Sequence, residues 1–185
     1  MRIPSATIVA VLLACGTGTP PVGEAEAPDS LFTALRDSST TARRVVADVH
    51  DMSTEGGDAT GYYDAAGALF LVDLALMGET GRREHAFACA GGPLRAVQER
   101  SHVYNRPYYW DAAAAAEAGD EAFDPAKTVV KERTVLFDGD TVARIIPMEM
   151  ADDADFGDPA SLPELFAVMK RLLTEADTLG SAAAR

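Results

Sequence analysis

Three histidines and two cysteines are the side chains of this sequence that could carry nucleophilic or acid–base chemistry. His50 is followed by Asp51 and Glu84 precedes His85, so either histidine could act as a base tuned by a carboxylate. Cys89 follows His85 by four positions, which on a strand is a separation of about 13 Å, too long for proton transfer. The sequence contains no nucleophile elbow, zinc-protease motif, phosphate loop or dinucleotide fingerprint. We therefore expect a binding or structural protein, with an unrecognised hydrolase or metal-dependent enzyme as the alternative.

An acidic stretch at 148–164, MEMADDADFGDPASLPE, is the candidate cation site. If Asp153 is position one of a calcium loop, Asp155 is position three and Glu164 is position twelve, the spacing of an EF-hand. Asp158 stands where such a loop needs glycine, and the preceding segment is predicted to be a strand rather than a helix. A solvated acidic linker before a helix N-terminus explains the same residues. Calcium is thus the one cofactor that the pattern leaves open, and the linker is the preferred interpretation.

A loop rich in aromatic residues is the candidate binding surface. Four rings, one arginine and one asparagine occur within seven positions, a composition typical of interfaces. The alternative is that the rings fold back over the sheet as a satellite of the core. We expect Trp110, the only tryptophan, to be buried, and Tyr104 and Arg106 to face outward. The six candidate residues are Tyr104, Asn105, Arg106, Tyr108, Tyr109 and Trp110.

The N-terminus predicts export and a lipid anchor. Residues 1–14 place one arginine before a short apolar run, too short for the roughly 20 residues of a membrane-spanning helix. The run ends in LLAC, and this segment, Leu12–Cys15, resembles the lipobox of bacterial lipoproteins. The resemblance implies removal of 1–14 as a signal peptide and attachment of palmitate or similar acyl chains at Cys15. Gly16 resembles the residue found there in lipoproteins sent to the periplasmic face of the outer membrane, if the host is Gram-negative.

The residues after the cysteine predict a tether followed by one domain. Residues 15–29 are dominated by Gly, Pro and Glu without apolar periodicity, as in flexible linkers. Residues 30–185 have the length and apolar content of a single domain. The formal net charge of −13 disfavours nucleic acid as a partner, because like charges repel the phosphate backbone. The expected partners are the membrane, through the lipid, and a protein or peptide.

The folded region is predicted to be α+β, an antiparallel meander of hairpins packed against a C-terminal amphipathic helix. Gly-containing turns separate the apolar segments, and the Asp138-Gly139 pair is a strong hairpin signal. In residues 68–77 both the even-numbered and the odd-numbered positions are largely apolar. This pattern indicates a central strand that is covered on both faces. The predicted strands are 43–49, 60–64, 68–77, 82–90, 94–100, 128–137 and 141–146, although a helix continuing from Ser30 could also account for the first of them.

Three helices complete the prediction. Ser30 could cap a first helix, and Asp111 could cap a second over 112–118, which could be packed or mobile. The third begins with a capping-box pattern at Ser161 and ends at Gly180. The segments YYDAAGAL at 62–69, GETG at 78–81 and YNRPYY at 104–109 resemble short bacterial envelope lipoproteins of uncharacterised function, over roughly 50–145. That resemblance implies a place in the cell envelope and brings no activity with it.

Overall fold

A computed structural model describes residues 28–89, 92–147 and 156–183 of the chain. Within these ranges the fold consists of seven strands and three α-helices, with short 3-10 turns between several of them. In chain order the elements are α1 (Pro28–Ser39), β1 (Arg43–Asp48), β2 (Gly57–Tyr63), β3 (Leu69–Gly78), β4 (Gly81–Cys89), β5 (Leu94–Val103), α2 (Ala112–Ala118), β6 (Val129–Asp138), β7 (Thr141–Pro147) and α3 (Leu162–Ala183).

The seven strands form one antiparallel sheet in the order of the chain, β1 to β7. Each strand pairs with the next, which confirms the predicted meander and its α+β class. Gly139 has a φ of +60°, the left-handed conformation that glycine adopts without strain, at the tip of the β6–β7 hairpin. The alternative of a helix over 43–49 is excluded, because those residues pair with β2 from Arg43↔Tyr63 to Asp48↔Asp58.

The main core lies between the sheet and α3. Phe166 of α3 stacks on Phe87 of β4, with 5.6 Å between ring centroids. Gly61 of β2 permits the close approach of α3, since a β-carbon there would lie 2.8 Å from Leu173 Cδ1. The largest completely buried side chains of this face are Val72, Leu74, Phe87, Val97, Val135, Met169 and Leu173. Burial of such side chains contributes about 1.5–3 kcal/mol each and makes α3 the principal cover of the sheet.

Helix α1 covers part of the opposite face. Phe32 packs on Leu71 of β3 and on three small residues, Ala86, Ala88 and Ala96. Because Leu71 points toward α1 while Val72 and Leu74 point toward α3, β3 is buried on both faces, as its sequence predicts. Successive residues of a strand face opposite sides of a sheet, so the odd-numbered and even-numbered residues of β3 contribute to two different cores.

The helix ends differ from their predicted positions. Helix α1 begins at Pro28, two residues before the predicted cap at Ser30. Ser161 Oγ donates to the Asp158 carbonyl and closes a 3-10 turn, Pro159–Ser161, that leads into α3. Helix α3 continues through Gly180 to Ala183 because Gly180 keeps a helical backbone, so the predicted stop there is wrong. Helix α2 has the predicted bounds, and Asp111 accepts from the backbone N–H groups of Ala113 and Ala114.

None of the helices in the described ranges is long and apolar enough to cross a membrane.

Candidate functional site

The aromatic loop follows β5 and lies beside the turn that joins β3 to β4. The Tyr104 N–H donates to the Thr80 carbonyl at 3.0 Å, and the Tyr108 N–H donates to the Glu79 carbonyl at 2.9 Å. The loop is therefore attached to one end of the sheet, rather than folded over its open face as the core interpretation required.

Two of the predicted site residues hold the loop in shape. Asn105 Nδ2 donates to the Ala122 carbonyl at 3.0 Å, and its Oδ1 accepts from the Asp124 N–H at 2.9 Å. Arg106 binds both carboxylate oxygens of Asp120, at 2.8 and 2.6 Å. The side-chain hydrogen bond from Arg106 lowers the pKa of Asp120 below its ordinary value. These contacts join residues 104–106 to 120–124, and the Arg106 side chain stays 36% exposed at the surface.

Tyr104 and Trp110 belong to the same packed unit. The Tyr104 ring lies against Phe123 with 5.2 Å between centroids, so the expectation that it faces outward is wrong. Trp110 is half-buried, and its carbonyl accepts from the Phe123 N–H at 2.7 Å. Trp110 Nε1 is buried and has no hydrogen-bond partner among the described residues. Both rings therefore serve as a small core for the loop.

Tyr108 and Tyr109 form the exposed part of the loop, together with two glutamates from other turns. The rings meet edge to face at 5.5 Å, and they are 49% and 53% exposed. Tyr108 Oη donates to Glu55 at 3.2 Å, and Tyr109 Oη donates to Glu79 at 3.1 Å. We call these four residues, Glu55, Glu79, Tyr108 and Tyr109, the aromatic–acidic surface. The negative charge of Glu55 raises the pKa of Tyr108, and the hydrogen bond to Glu79 raises that of Tyr109.

The sequence identified the tyrosines of this surface but not the glutamates. Glu55 precedes β2 and Glu79 lies in the β3–β4 turn, far along the chain from the loop. Their meeting depends on the register of β2, β3 and β4. The GETG turn, with its acid between two glycines, was the one signal that could have suggested Glu79.

A buried charged network lies on the α3 side of β4, β5 and β6. Arg133 Nε donates to Glu99 Oε2 at 2.5 Å, and His85 Nε2 lies 3.5 Å from Glu99 Oε1. Arg133 also donates to the Gly157 carbonyl at 2.6 Å and lies over the Phe156 ring. Burial alone would raise the pKa of Glu99, but hydrogen bonds from His85 and Arg133 outweigh it, and the pKa is lowered. The network is enclosed, with each of the three side chains at most 8% exposed, so none of them is presented to solvent as a base.

The histidine–acid neighbours of the sequence do not form pairs. His50 Nε2 contacts Asp48 at 2.7 Å rather than Asp51, and it is strongly exposed. Glu84 points to the opposite face from His85 and contacts His102 at 3.1 Å. Adjacent residues of a strand face opposite sides, so His85 finds its acid, Glu99, on the next strand.

Cys89 is a buried thiol without a catalytic partner among the described residues. Its Sγ donates to the Leu69 carbonyl at 3.3 Å. Burial raises its pKa to about 11, which keeps the sulfur protonated and unreactive near neutral pH.

The remaining predicted sites fall largely outside the described residues. Cys15, Asp153 and Asp155 lie there, whereas Glu164 is exposed in the first turn of α3. Within the described ranges, no three His, Cys, Asp or Glu side chains come close enough together to hold a metal ion. The calcium loop therefore stays a prediction.

Comparison of the chain with protein-family models, with curated proteins and with solved structures finds no match.

Proposed function

We propose that this protein is a lipid-anchored binding protein of the cell envelope, which takes a basic segment of a partner protein on the aromatic–acidic surface. The observation that carries the proposal is the exposed edge-to-face pair of Tyr108 and Tyr109, with a glutamate hydrogen-bonded to each hydroxyl. Exposed neighbouring aromatic rings are uncommon on surfaces that bind nothing, and tyrosine is among the residues most enriched at binding hot spots.

The chemistry of this surface favours a cationic partner. A lysine or arginine can lie over a tyrosine face, a contact that contributes about 0.5–1 kcal/mol at an exposed site. Each glutamate accepts one hydrogen bond from a tyrosine and has further acceptor positions for an ammonium or guanidinium group. Alternating basic residues of an extended segment could therefore contact a ring and a carboxylate in turn.

The surface is held in shape before any partner arrives. The hydrogen bonds of Asn105 and Arg106 fix the loop from behind, and those from Tyr104 and Tyr108 to the β3–β4 turn fix it to the sheet. A partner then loses its own conformational freedom but does not have to order the loop, so less of the binding energy is spent on ordering.

Net charge and tether support the same assignment. A formal charge of −13 attracts basic segments over several ångströms and makes their association depend on salt. The sequence of residues 15–27 is typical of a linker, which would span about 20 Å, so a domain lipidated at Cys15 would meet partners close to the headgroups.

The binding half of the proposal is tested with an oligolysine peptide as the probe. Trp110 is the only tryptophan and belongs to the loop, so its fluorescence follows the titration directly. We expect saturable binding that weakens as salt rises, because exposed charges are screened. Tyr109→Ala should weaken the affinity about threefold to fivefold, and Glu55→Gln with Glu79→Gln about tenfold.

A charge-matched control separates the surface from the overall field. Glu117→Gln with Glu175→Gln removes the same two charges from exposed positions outside the surface. We expect this variant to bind oligolysine within about twofold of the wild type. Equal weakening by both double variants would contradict a specific surface, as would an unchanged affinity in Tyr109→Ala.

A further inference from the structure

A cleft of about 230 Å³ opens on the face of the sheet that carries α1, next to the small core under Phe32. Its floor crosses four strands, because Thr60, Asp73, Ala86 and Gln98 stand side by side in the strand register. Ala86 is flanked by longer side chains on both neighbouring strands, so the floor is recessed at its centre. Arg36 of α1 forms one wall.

Gln98 is the polar group of the floor whose bonding is incomplete. The residue is only 8% exposed, and its carboxamide makes no hydrogen bond to the described residues. The carboxamide lines the cleft, so two donors and one acceptor are available there to a molecule that enters it.

Asp73 supplies a charge beside this amide. Its carboxylate interacts with the Tyr62 hydroxyl, and Arg36 contacts both oxygens only at 3.5 Å, the outer limit of a hydrogen bond. Burial raises the pKa of Asp73, with the Arg36 charge opposing the effect. A carboxylate has about four acceptor positions, so Asp73 retains capacity for a cation.

Asp58, which also lines the cleft, is exposed to solvent, and the charges of Glu84 and Arg100 are balanced by residues outside the cleft. Glu84 contacts Arg82 at 3.0 Å and His102 at 3.1 Å, and Arg100 is paired with Glu132. Asp73 and Gln98 therefore remain as the two groups that a ligand would complete. They lie two strands apart, on either side of Ala86.

We infer that this cleft binds a primary ammonium group with a neighbouring carboxamide, the ammonium at Asp73 and the amide at Gln98. Both an amino acid amide and the N-terminus of a peptide carry that pair of groups. The volume is below the roughly 300–1,000 Å³ of pockets for drug-sized ligands, so only a few heavy atoms enter. This site is on the sheet face and is separate from the aromatic–acidic surface.

Glycinamide is the probe, and the side-chain NH₂ signals of Gln98 in a ¹⁵N–¹H spectrum are the readout. We expect glycinamide at millimolar concentration to shift those signals in a saturable way. Acetamide keeps the amide but lacks the ammonium, so its affinity should be at least about tenfold lower, since a charge-assisted hydrogen bond is lost. Triglycine amide distinguishes a peptide N-terminus from a free amino acid amide as the natural ligand. If it binds as tightly as glycinamide, the site takes a peptide N-terminus, and if it binds much more weakly, the site takes a free small amine.

Two variants and a control complete the test. Asp73→Asn should weaken glycinamide binding about tenfold, and Asp140→Asn, the same change in an exposed turn, should leave it unchanged. Gln98→Met keeps the length of the side chain and should also weaken binding, followed through the backbone signal of Ala86. Unmoved Gln98 signals in the wild type, or equal shifts with acetamide, would overturn the inference without reference to any variant.

Discussion

Glu99 offers the sharpest test of what holds the sheet and α3 together. It is 4% exposed in its side chain and faces Arg133, which is 2% exposed, with their hydrogen bond at 2.5 Å. Glu99→Gln keeps the shape of the side chain but removes the negative charge that faces the buried guanidinium. Breaking a buried ion pair in this way costs about 3–5 kcal/mol, a large fraction of the roughly 5–15 kcal/mol of a typical domain.

Urea unfolding at neutral pH measures this loss, with Glu84→Gln as the control. Glu84 lies on the same sheet and contacts both Arg82 and His102, but its side chain is 31% exposed. Solvent screens its pairs, so we expect a change within about 1 kcal/mol. Equal, small effects in both variants would refute the assignment of Glu99 to a stabilising network.

The same network predicts a pH dependence of known sign. The folded-state pKa of Glu99 is lowered, so its contribution to the free energy of unfolding is complete above the ordinary carboxyl pKa of about 4.3. The contribution is lost as the pH falls through the lower, folded-state pKa. The difference in stability between wild type and Glu99→Gln should therefore shrink below about pH 4. A difference that grows on acidification would contradict this reasoning.

Three further predictions concern single groups. Trp110→Ala should lower the free energy of unfolding by about 2–3 kcal/mol, as expected for a half-buried ring, and a change under about half a kcal/mol in urea unfolding would contradict its packing role. Cys89 should resist iodoacetamide at pH 8 until urea unfolds the protein, because its raised pKa leaves about one thiolate in a thousand; rapid labelling of the folded protein would contradict its burial. Millimolar calcium should leave the melting temperature unchanged if the segment around Asp153 and Asp155 is a linker. A dissociation constant one-hundredth of the free calcium would instead add about 2.7 kcal/mol, and loss of that gain in Asp153→Ala with Asp155→Ala would establish the site.

The sequence was sufficient for the order and pairing of the strands. Glycine turns and alternating apolar residues define each hairpin, and a meander follows when every strand pairs with the next. Residues 68–77 are apolar at both even and odd positions, and this pattern correctly predicted that β3 is covered on both of its faces. Strand position and facing depend on local chemistry, so they can be read from a single chain.

Contacts between residues far apart in the sequence could not be predicted in this way. His85 has Glu84 beside it in the chain, yet it meets Glu99 because the register of β4 with β5 places them opposite each other. Glu79 likewise reaches Tyr109 only because the aromatic loop attaches to the β3–β4 turn. Such meetings depend on turn lengths summed over several hairpins, which residue type and spacing do not specify.

Metabolic labelling with palmitate tests the central claim, that this is a binding domain anchored to the envelope through Cys15. The account predicts labelling of the wild-type protein and its partition into detergent, and neither in Cys15→Ser. Cys89→Ser is the control, because the buried Cys89 should be unavailable for acylation and its loss should leave the label unchanged. Equal labelling of wild type and Cys15→Ser, or an unlabelled wild type recovered wholly in the aqueous phase, would contradict the account.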